Sequence, residues 1–448
     1  MDEDFVKRLS ELSEKSSMIN QELYDKYNVK RGLRNKDHTG VLVGLTHIGD
    51  VIGYKVVDGE IIPAEGDLLY RGVSIKNLVE GFQKDGRPGF EETIFLLLFG
   101  KLPAKNELEK FSTMLSELRD LPENFTEDMI LKLKGRDIMN MLARCVLVLY
   151  TLDRNADDIS TLNILKQSIG LIARFPTLIA YAYQARRYHY NHMNLSIRHP
   201  ENGLTTAANL LYMVKGHKRY TKLEAELLDL VLVLHAEHGG GNNSTFATRV
   251  VSSSDTDTYS AIAAALGSLK GPLHGGANLR VTQMMEDIKK NVKDWKDEKE
   301  VSDHLLKILK KEAFGTSGKL YGFGHAVYTL SDPRAVLLKE KARELAKEKD
   351  RTDEFELYEL IEKVAPKVFA EFKGTSKIIS PNVDFYSGFV YDCLRIPMEL
   401  YTPLFAMARI ASWCAHRIEE IISSRKIIRP AYKNVTEGVE YASLDERK

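Results

Sequence analysis

The chain has 448 residues, a length that favours two domains, or one large domain with an insertion, over a single small core. Lysine plus arginine and aspartate plus glutamate each number 63, so the charges balance and give no support to a general nucleic-acid or membrane-surface role. Three cysteines without metal-type spacing argue against a disulfide framework and predict free, buried thiols. The acidic first residues are unlike a targeting signal, which makes the cytoplasm the expected compartment.

Short β-strands are predicted only near the start of the chain. Val41–Leu45 and Val51–Val57 are rich in β-branched residues, and Asp58-Gly59 is typical of a tight turn. Helical periodicity dominates the rest of the sequence. The expected fold class is therefore mainly α, with a small N-terminal β element beside a helical body.

Two apolar runs in the first half of the chain require a check against membrane spans. Met141–Leu152 is too short to cross a bilayer, and Ile169–Tyr183 is interrupted by Arg174 and Pro176. Both runs are therefore predicted to be buried helices, and no membrane contact is expected.

A further helix is predicted to begin after Thr221, because Thr221 and Glu224 have the spacing of a capping box. Its apolar face continues as far as His238. His235 and His238, with Glu237 between them, could also bind a metal, as in a zinc hydrolase. Two histidines at a helix end do not complete a ligand set, however, so no metal is assigned.

His274 lies in a glycine-rich turn between two predicted helices. Asp257–Lys270 has helix-forming composition that stops at a Gly-Pro pair, and apolar residues repeat at helical spacing from Ala277 onward. The positive end of the second helix disfavours an imidazolium, so a neutral His274 could donate a hydrogen bond to a carbonyl. Gly275 and Gly276 would let a substrate approach the backbone. The alternative is a histidine packed in a helix–helix turn.

The second half of the chain contains two highly charged segments, Glu286–Glu312 and Lys339–Lys373. Lysine and glutamate alternate with apolar residues in both, which predicts solvated amphipathic helices of a smaller domain. A long helix is then predicted from Thr402-Pro403 to Ile422 by N-cap and N1 preferences. Arg409 interrupts its apolar stripe and requires an anionic partner, either a structural carboxylate or a bound one.

Two loops in this half carry further candidate chemistry. Tyr321–Tyr328 combines two glycines with His325, but it lacks the third glycine of a dinucleotide fingerprint. It could still let a ligand lie against the backbone. Asp384 stands among apolar and aromatic residues in Pro381–Gly388, where burial would raise its pKa and suit it to act as a general base. Capping of the following helix is the alternative role for Asp384.

Three of these segments, in this order, resemble motifs of the citrate synthase family, which includes the 2-methylcitrate synthases. They are Gly271–Asn278, Gly322–Arg334 and Pro381–Gly388, within a resemblance that runs from about Leu68 to Pro430. The resemblance implies a two-domain helical homodimer. Its large domain would comprise residues 1–277 and 391–448, and its small domain, residues 278–390, would close over the site.

The resemblance also implies an activity, the condensation of acetyl-CoA with oxaloacetate followed by hydrolysis of the citryl thioester to citrate and CoA. His274 would polarise the thioester carbonyl, Asp384 would remove a methyl proton, and His325 would polarise the keto carbonyl. Proton removal from a weak carbon acid needs such a base opposite a group that stabilises the enol. No cofactor is implied, since acetyl-CoA is a substrate.

The family's binding positions can be carried over in the same way. Those for oxaloacetate fall on His238, Arg334, Arg409 and Arg429, with Arg429 reaching the site of the neighbouring subunit. Those for CoA fall on Leu273, Lys319, Leu320, Tyr321, Gly322, Phe323, Gly324 and Asn382. Some members carry basic residues just after the second histidine that this chain lacks, which leaves Lys319, Lys373 and Lys377 as candidates for the CoA phosphates.

Three alternatives stay open at this point. A 2-methylcitrate synthase would use propionyl-CoA, and an extra methylene supplies only about 1–3 kcal/mol of discrimination. A zinc hydrolase would use His235 and His238. A non-catalytic helical scaffold would keep the fold without releasing CoA.

Overall fold

The computed structural model describes residues 2–37, 39–57, 60–217, 219–375, 378–424 and 426–447. Within these ranges the chain forms two compact units, divided between Leu45 and Thr46. The first unit contains helices α1 (Glu3–Ser17) and α2 (Glu22–Lys26), followed by a 3₁₀ turn. The Asp2 carboxylate caps α1 by accepting a hydrogen bond from a backbone N–H of its first turn.

The prediction of a strand at Val41–Leu45 is wrong, because this segment has no regular structure. Its first N–H instead donates to the carbonyl of Leu33, at 2.9 Å. An apolar run that contains β-branched residues is not enough for a strand when no neighbouring segment supplies a hydrogen-bonding ladder.

The small β element itself is confirmed, as a three-stranded antiparallel sheet in the second unit. Its strands are β1 (Gly49–Val57), β2 (Glu60–Tyr70) and β3 (Val73–Ser74), in the order β1-β2-β3. The sequence pattern predicts β1 but not β2, because a proline and several charged residues interrupt the apolar pattern of β2. The predicted turn at Asp58-Gly59 lies outside the described residues.

Helices form the rest of the second unit, which confirms the mainly α fold class. They are α3 (Ile75–Lys84), α4 (Phe90–Phe99), α5 (Lys105–Glu117), α6 (Ile138–Leu152), α7 (Thr161–Tyr190), α8 (Thr206–Lys215), α9 (Lys222–His235), α10 (Asn243–Ser252), α11 (Thr258–Lys270), α12 (Ala277–Asn291), α13 (Glu298–Leu309), α14 (Pro333–Glu348), α15 (Thr352–Lys373), α16 (Val383–Cys393) and α17 (Tyr401–Ser423). The helices predicted around both apolar runs, after Thr221, on either side of His274 and in both charged segments are all present.

Two details of helix capping differ from expectation. Thr221 caps α9, but the Glu224 carboxylate pairs with Lys215 and Lys349, at 3.0 and 2.6 Å, and does not return to the cap. Helix α17 begins at Tyr401, and Thr402 is therefore not its N-cap. The Thr402 hydroxyl instead donates to the carbonyl of Gly275, at 3.0 Å, and so ties α17 to the turn that carries His274.

Helix α17 lies at the centre of the helical core. It packs against α4, α7, α9, α10 and α11, and most of its side chains are buried, including those of Arg409 and Trp413. Helices α12 to α16 pack mainly on one another, while α14 also contacts α9 and β2, and α12 contacts α17. The segments that carry candidate chemistry lie where these two groups of helices meet.

The three cysteines are buried and free, as the sequence predicts. Burial raises the pKa of each thiol, to about 11 for Cys145 and about 12 for Cys393 and Cys414. Among the helices described, none is both long and apolar enough to cross a membrane.

Candidate active site

Backbone hydrogen bonds hold the loop of His325 beside the start of α16, which carries Asp384. The Gly324 N–H donates to the Ser380 carbonyl at 2.9 Å, and the Asn382 N–H donates to the Gly322 carbonyl at 2.8 Å. Both glycines adopt positive φ, 83° at Gly322 and 81° at Gly324, a conformation that a residue with a Cβ rarely adopts. Two segments that are far apart in sequence are thereby joined as a short ladder.

A tight turn between α11 and α12 positions His274. The His274 N–H donates to the Gly271 carbonyl at 3.0 Å, and the Gly275 N–H donates to the Leu269 carbonyl at 3.0 Å. A Cβ on Gly275 would lie 2.2 Å from the Leu269 oxygen, and one on Gly276 would lie 2.9 Å from the backbone of Pro272. These glycines are therefore required by the turn itself, whereas the sequence suggested only room for a substrate.

The His274 ring is neutral and has a defined tautomer. Its Nε2 lies 2.9 Å from the Ser244 hydroxyl and accepts a hydrogen bond from the Ser244 N–H at 3.3 Å, which places the ring proton on Nδ1. Burial, reinforced by the positive charge of Arg409, lowers the pKa of His274 to about 4. The ring can therefore donate a hydrogen bond at neutral pH without carrying a charge.

His325 and His238 meet across the site, with their ring centroids 4.9 Å apart. His325 Nδ1 accepts hydrogen bonds from the N–H groups of Val327 and Tyr328, at 3.0 and 3.1 Å, so a neutral ring carries its proton on Nε2. Burial and the charge of Arg334 lower the pKa of His238 well below its usual range, and its buried Nε2 has no partner among the described residues. The His325 ring thus faces a neutral His238 imidazole.

Arg409 is the most unusual charged residue in the core. Its side chain is fully buried, its Nε donates to the His235 carbonyl at 2.7 Å, and Nη1 and Nη2 have no partner among the described residues. Burial lowers the pKa of Arg409 to about 10, still well above neutrality. A buried guanidinium with two unpaired nitrogens is suited to grip a carboxylate. Among the described residues no carboxylate bonds to those two nitrogens, which favours a bound carboxylate over a structural one as the partner of Arg409.

A second buried guanidinium, that of Arg334, lies in the first turn of α14. It donates to both carboxylate oxygens of Asp332, from Nε at 3.0 Å and from Nη2 at 2.7 Å. Burial alone would lower the pKa of Arg334, but the Asp332 carboxylate outweighs burial and raises it. Its Cζ lies 5.7 Å from the centroid of the Tyr328 ring. Arg334 therefore adds a fixed positive charge beside the two histidines.

Asp384 is the acidic group of this cluster. Burial raises its pKa to about 6, against the opposing effects of Arg334 and of a hydrogen bond with Asn278. The cap of α16 is Asn382, whose Oδ1 accepts from the Asp384 N–H at 3.0 Å, so the alternative of Asp384 as a cap is wrong. A carboxyl with a pKa near 6 is suited to accept a proton near neutral pH. The charge of Arg409 acts on the pKa of both Asp384 and His274, which is expected of groups that face one site.

Comparison with known proteins places this site in a family. Residues 37–431 match the family model described as citrate synthase, C-terminal domain. The chain is 34% identical over 425 residues to the citrate synthase of Haloferax volcanii, covering 94% of this chain and 99% of that protein. The chain belongs to the citrate synthase family. This membership confirms the resemblance seen in the sequence motifs. Members of the family are acyltransferase enzymes.

Two further comparisons place the chain within the citrate synthase family. It is 32% identical to the 2-methylcitrate synthase of Shewanella oneidensis, covering 85% of this chain and 90% of that protein. A solved ternary complex of carboxymethyl coenzyme A and oxaloacetate with the citrate synthase of Thermoplasma acidophilum has a TM-score of 0.75 and 27% identity, covering 94% and 99% of the two chains.

Some of the CoA residues expected from the citrate synthase resemblance lie beside Asp384, and others are exposed on the surface. Gly322 to Gly324 and Asn382 lie in the short ladder beside Asp384, and Leu320 and Tyr321 directly precede it. Leu273 is 97% exposed at the tip of the His274 turn, and Lys319 and Lys373 are also exposed. Lys377, the other candidate for the CoA phosphates, lies outside the described residues.

Arg429 is separate from the oxaloacetate residues expected for the family. It is exposed on the segment that follows α17, and among the described residues its guanidinium has no hydrogen-bond or ion-pair partner. The neighbouring Ile428 N–H donates to the Ser253 hydroxyl at 3.0 Å, which ties this segment to the end of α10. His238, Arg334 and Arg409, by contrast, share the site with His274, His325 and Asp384.

The metal alternative is not supported by the placement of His235. The His235 Nδ1–H donates to the Val231 carbonyl at 2.9 Å, within its own helix, and the ring packs on Phe405. Within the described ranges, no group of three or more His, Cys, Asp or Glu side chains is arranged to hold a metal ion.

Ser244, the residue that fixes the tautomer of His274, is not predicted from the sequence. The Ser244 hydroxyl also accepts from Trp413 Nε1 at 3.2 Å, so it links α17 to the turn. A serine two positions after Asn242 carries no distinctive signal. Only the fold shows that it faces His274, a residue 30 positions away.

Proposed function

We propose that the chain condenses acetyl-CoA with oxaloacetate and hydrolyses the resulting citryl thioester, to give citrate and CoA. One observation carries this proposal: a carboxyl with a pKa of about 6, neutral imidazoles and an unpaired buried guanidinium converge on one site. Similarity to proteins named citrate synthase supports it, as does the oxaloacetate and carboxymethyl coenzyme A bound to the solved relative.

Asp384 is the base in this proposal, and His274 is its electrophilic partner. The carboxylate takes a proton from the acetyl methyl group, and the electron pair of that C–H bond moves into a carbon–carbon double bond. The thioester oxygen gains negative charge and accepts a hydrogen bond from His274 Nδ1–H. A neutral donor suits this step, because an imidazolium would place an additional charge in a buried site.

The enol carbon then attacks the keto carbon of oxaloacetate, and the keto oxygen accepts a hydrogen bond from His325 Nε2–H. Arg409 holds a carboxylate of oxaloacetate through its unpaired Nη1 and Nη2, while Arg334 and His238 bind its other polar groups. Water subsequently adds to the thioester carbonyl, and CoA leaves as the thiol.

Binding of the two substrates extends beyond this cluster. Backbone groups of Leu320 to Gly324, together with Leu273, Lys319, Tyr321, Phe323 and Asn382, contact CoA. Exposed lysines neutralise its phosphates. Arg429 extends from one subunit of a homodimer into the site of the other, which accounts for its position away from Arg409.

Residues 278–390 act as a small domain that closes on residues 1–277 and 391–448. The mutual packing of α12 to α16 supports this division, and closure would exclude water during proton transfer. We further propose that the enzyme requires no cofactor and works in the cytoplasm.

Thiol release tests this function. Purified protein is supplied with oxaloacetate and either acetyl-CoA or propionyl-CoA, free thiol is followed, and the product is identified by mass. Citrate, formed with a higher kcat/KM for acetyl-CoA, is the expected result, whereas preference for propionyl-CoA would establish the 2-methylcitrate alternative raised by the Shewanella oneidensis relative. Absence of thiol release from both thioesters would contradict the proposal.

A further inference from the structure

A buried network of polar side chains lies behind the loop that carries His238. It consists of Glu237, Arg249, Ser412, His416, Glu419 and Glu420, which we call the Glu237 network. Its members come from the loop after α9, from α10 and from α17. Glu237, Ser412 and His416 are completely buried. No step proposed above uses any of them.

Glu237 clamps the His238 loop through both of its carboxylate oxygens. Oε1 accepts a hydrogen bond from the Gly239 N–H, while Oε2 accepts from the Ser412 hydroxyl and from His416 Nε2–H, the latter at 3.1 Å. The Glu237 backbone N–H donates to the Tyr70 hydroxyl at 3.3 Å. The Glu237 carboxylate thus fixes Gly239 on one side of His238, and the Tyr70 hydroxyl and the bonds of the carboxylate to α17 fix Glu237 on the other.

Packing around Glu237 allows little adjustment. A Cβ added to Gly49, at the start of β1, would lie 2.6 Å from the Cγ of Glu237. The carboxylate therefore fills the space between the sheet and α17. We therefore expect a change in its hydrogen bonding to shift the loop, because Gly49 leaves the side chain little room to adjust.

Arg249 sets the tautomer of His416. It donates to His416 Nδ1 from Nε at 3.1 Å and from Nη2 at 2.7 Å, so the ring proton lies on Nε2, where it is donated to Glu237. The Arg249 charge is balanced by Glu419 and by Glu420, the latter at 2.8 Å. The Glu237 network is therefore a chain of polarised hydrogen bonds that ends at the His238 loop.

The Glu237 network also supplies negative charge near the buried guanidinium of the site. Hydrogen bonds from His416 and Ser412, together with the charge of Arg409, oppose the effect of burial and keep the pKa of Glu237 low, at about 2, so the carboxylate is ionised. Glu237 in turn favours the charged form of Arg409, although burial acts in the opposite direction. Glu237 does not bond to Nη1 or Nη2, which leaves both available for a ligand.

We propose that Glu237, held by His416 and Arg249, is a positioning residue for oxaloacetate. It fixes the backbone on both sides of His238, so that the unpartnered Nε2 of His238 faces the substrate, and it supports the charge of Arg409 without occupying its binding nitrogens. This inference rests on the proposed function, since it presumes that His238 and Arg409 bind oxaloacetate.

The primary test is Glu237→Gln. An amide has one acceptor oxygen and one NH₂ group, so it cannot accept from Gly239, Ser412 and His416 together. We expect KM for oxaloacetate and its dissociation constant by calorimetry to rise about tenfold or more, because a shift of about 1 Å in a positioned group costs about a hundredfold. KM for acetyl-CoA, whose proposed contacts are elsewhere, should change less than about twofold.

Glu224→Gln is the matched control. Glu224 is also a buried carboxylate of the α9 region, and it pairs with Lys215 and Lys349, away from the site. Its replacement should lower the unfolding temperature without changing KM for oxaloacetate. If both variants raised KM equally, or if Glu237→Gln left KM within twofold of wild type, the inference would be overturned.

If Glu237→Gln does not fold, a pair of His416 variants tests whether Glu237 positions the His238 loop. A glutamine amide at 416 can place its nitrogen near the former Nε2 and donate to Glu237, whereas the shorter asparagine places it near the former Nδ1. His416→Gln should keep KM for oxaloacetate within about threefold, and His416→Asn should raise it about tenfold. Equal KM values would overturn the inference. Failure of the wild-type protein to bind oxaloacetate and release thiol would instead refute the proposed function, and the inference with it.

Discussion

At Arg409, two unpaired donors are buried in the middle of a helix. Its neighbour on the same helix, Arg417, is also buried, but Arg417 donates to Thr258, Ser252 and Thr256 at 3.1, 3.2 and 2.6 Å. The Arg417 guanidinium is therefore structural, because its bonds are made within the fold. Nη1 and Nη2 of Arg409 have no partner among the described residues and are available to a ligand. Desolvation of an unpaired charge destabilises the protein, and a bound carboxylate offsets that cost.

Arg409→Met should therefore reduce activity without net loss of stability, because loss of the bond from Nε to the His235 carbonyl is offset by removal of a buried, unpaired charge. We expect kcat/KM for oxaloacetate to fall by about tenfold to a hundredfold for each charge-assisted hydrogen bond removed, since such a bond contributes about 1.5–3 kcal/mol. The unliganded variant should unfold at the same temperature as wild type or a higher one, and oxaloacetate should stabilise only the wild type. Steady-state kinetics and thermal unfolding measure both effects.

Arg417→Met is the control for this experiment. It should lower the unfolding temperature, because it leaves several buried acceptors unpaired, and it should leave KM for oxaloacetate unchanged. A loss of stability in Arg409→Met as large as that in Arg417→Met, with unchanged kinetics, would show that Arg409 is structural.

The raised pKa of Asp384 determines the expected acidic limb of the pH–rate profile. Its pKa is raised from 3.8 to about 6, so kcat/KM for acetyl-CoA should rise with pH with a midpoint near 6, as the carboxylate forms. The pKa of His274, at about 4, places its protonation below this limb. A rate that stays constant between about pH 5 and 8 would contradict the role of Asp384 as base.

The same raised pKa predicts a pH-dependent effect on stability. A carboxyl whose pKa is higher in the folded state contributes stability that is fully present below pH 3.8 and is lost as pH rises through about 6. Asp384→Asn should thus be more stable than wild type at about pH 8 and nearly equal to it near pH 4, while thiol release falls by at least about a hundredfold. Denaturant unfolding at several pH values measures the difference.

At the scale of elements, the turn between α11 and α12 depends on glycine for steric reasons. Gly275→Ala should lower both the unfolding temperature and kcat, because the new Cβ would lie 2.2 Å from the Leu269 oxygen and displace His274. Gly271→Ala is the control, since its Cβ would meet its nearest neighbour at 3.4 Å, an ordinary contact, and its φ of −59° suits alanine. Equal activity of the two variants would contradict this requirement.

Helices were predictable from the sequence where an apolar repeat at helical spacing is bounded by residues that cap or end a helix. Asp257 caps α11 and Gly271 ends it, and the apolar repeat after Ala277 forms the buried face of α12. Strands were less predictable, because pairing between distant segments decides them. Val41–Leu45 is apolar and contains two valines but has no ladder, while β2 contains Pro63 and pairs with β1 despite its polar residues.

The site could be predicted only in part. His274, His325 and Asp384 stand in distinctive local sequences, and the fold brings them together with His238, Arg334 and Arg409. Ser244 and the Glu237 network lack such a signal, because their roles depend on contacts between residues as much as 179 positions apart. Assignments that concern a bound CoA or a second subunit stay predictions.

At the scale of the whole molecule, Arg429 predicts a site shared between two subunits. Arg429→Ala and Asp384→Asn should each have little activity alone. If Arg429 serves the neighbouring site, a mixed dimer contains one complete site, and refolding the two variants together should restore about a quarter of wild-type activity. Thiol release by the mixture measures this recovery. No recovery, in mixtures shown to contain heterodimers, would indicate that Arg429 acts within its own subunit or not at all.

The ladder between Gly322–Gly324 and Ser380–Asn382 makes Asp384, the proposed base, and His325, the proposed donor to the keto group, move as one piece. His274 belongs to a different piece, tied to α17 through the Thr402 hydroxyl. Any separation of the two pieces pulls the base away from the thioester's electrophile while leaving the base and the second imidazole in register. If the two pieces separate in an open form, that form would bind an acyl-CoA without deprotonating it. Enolisation would then begin only after binding of the keto acid had brought the two pieces together.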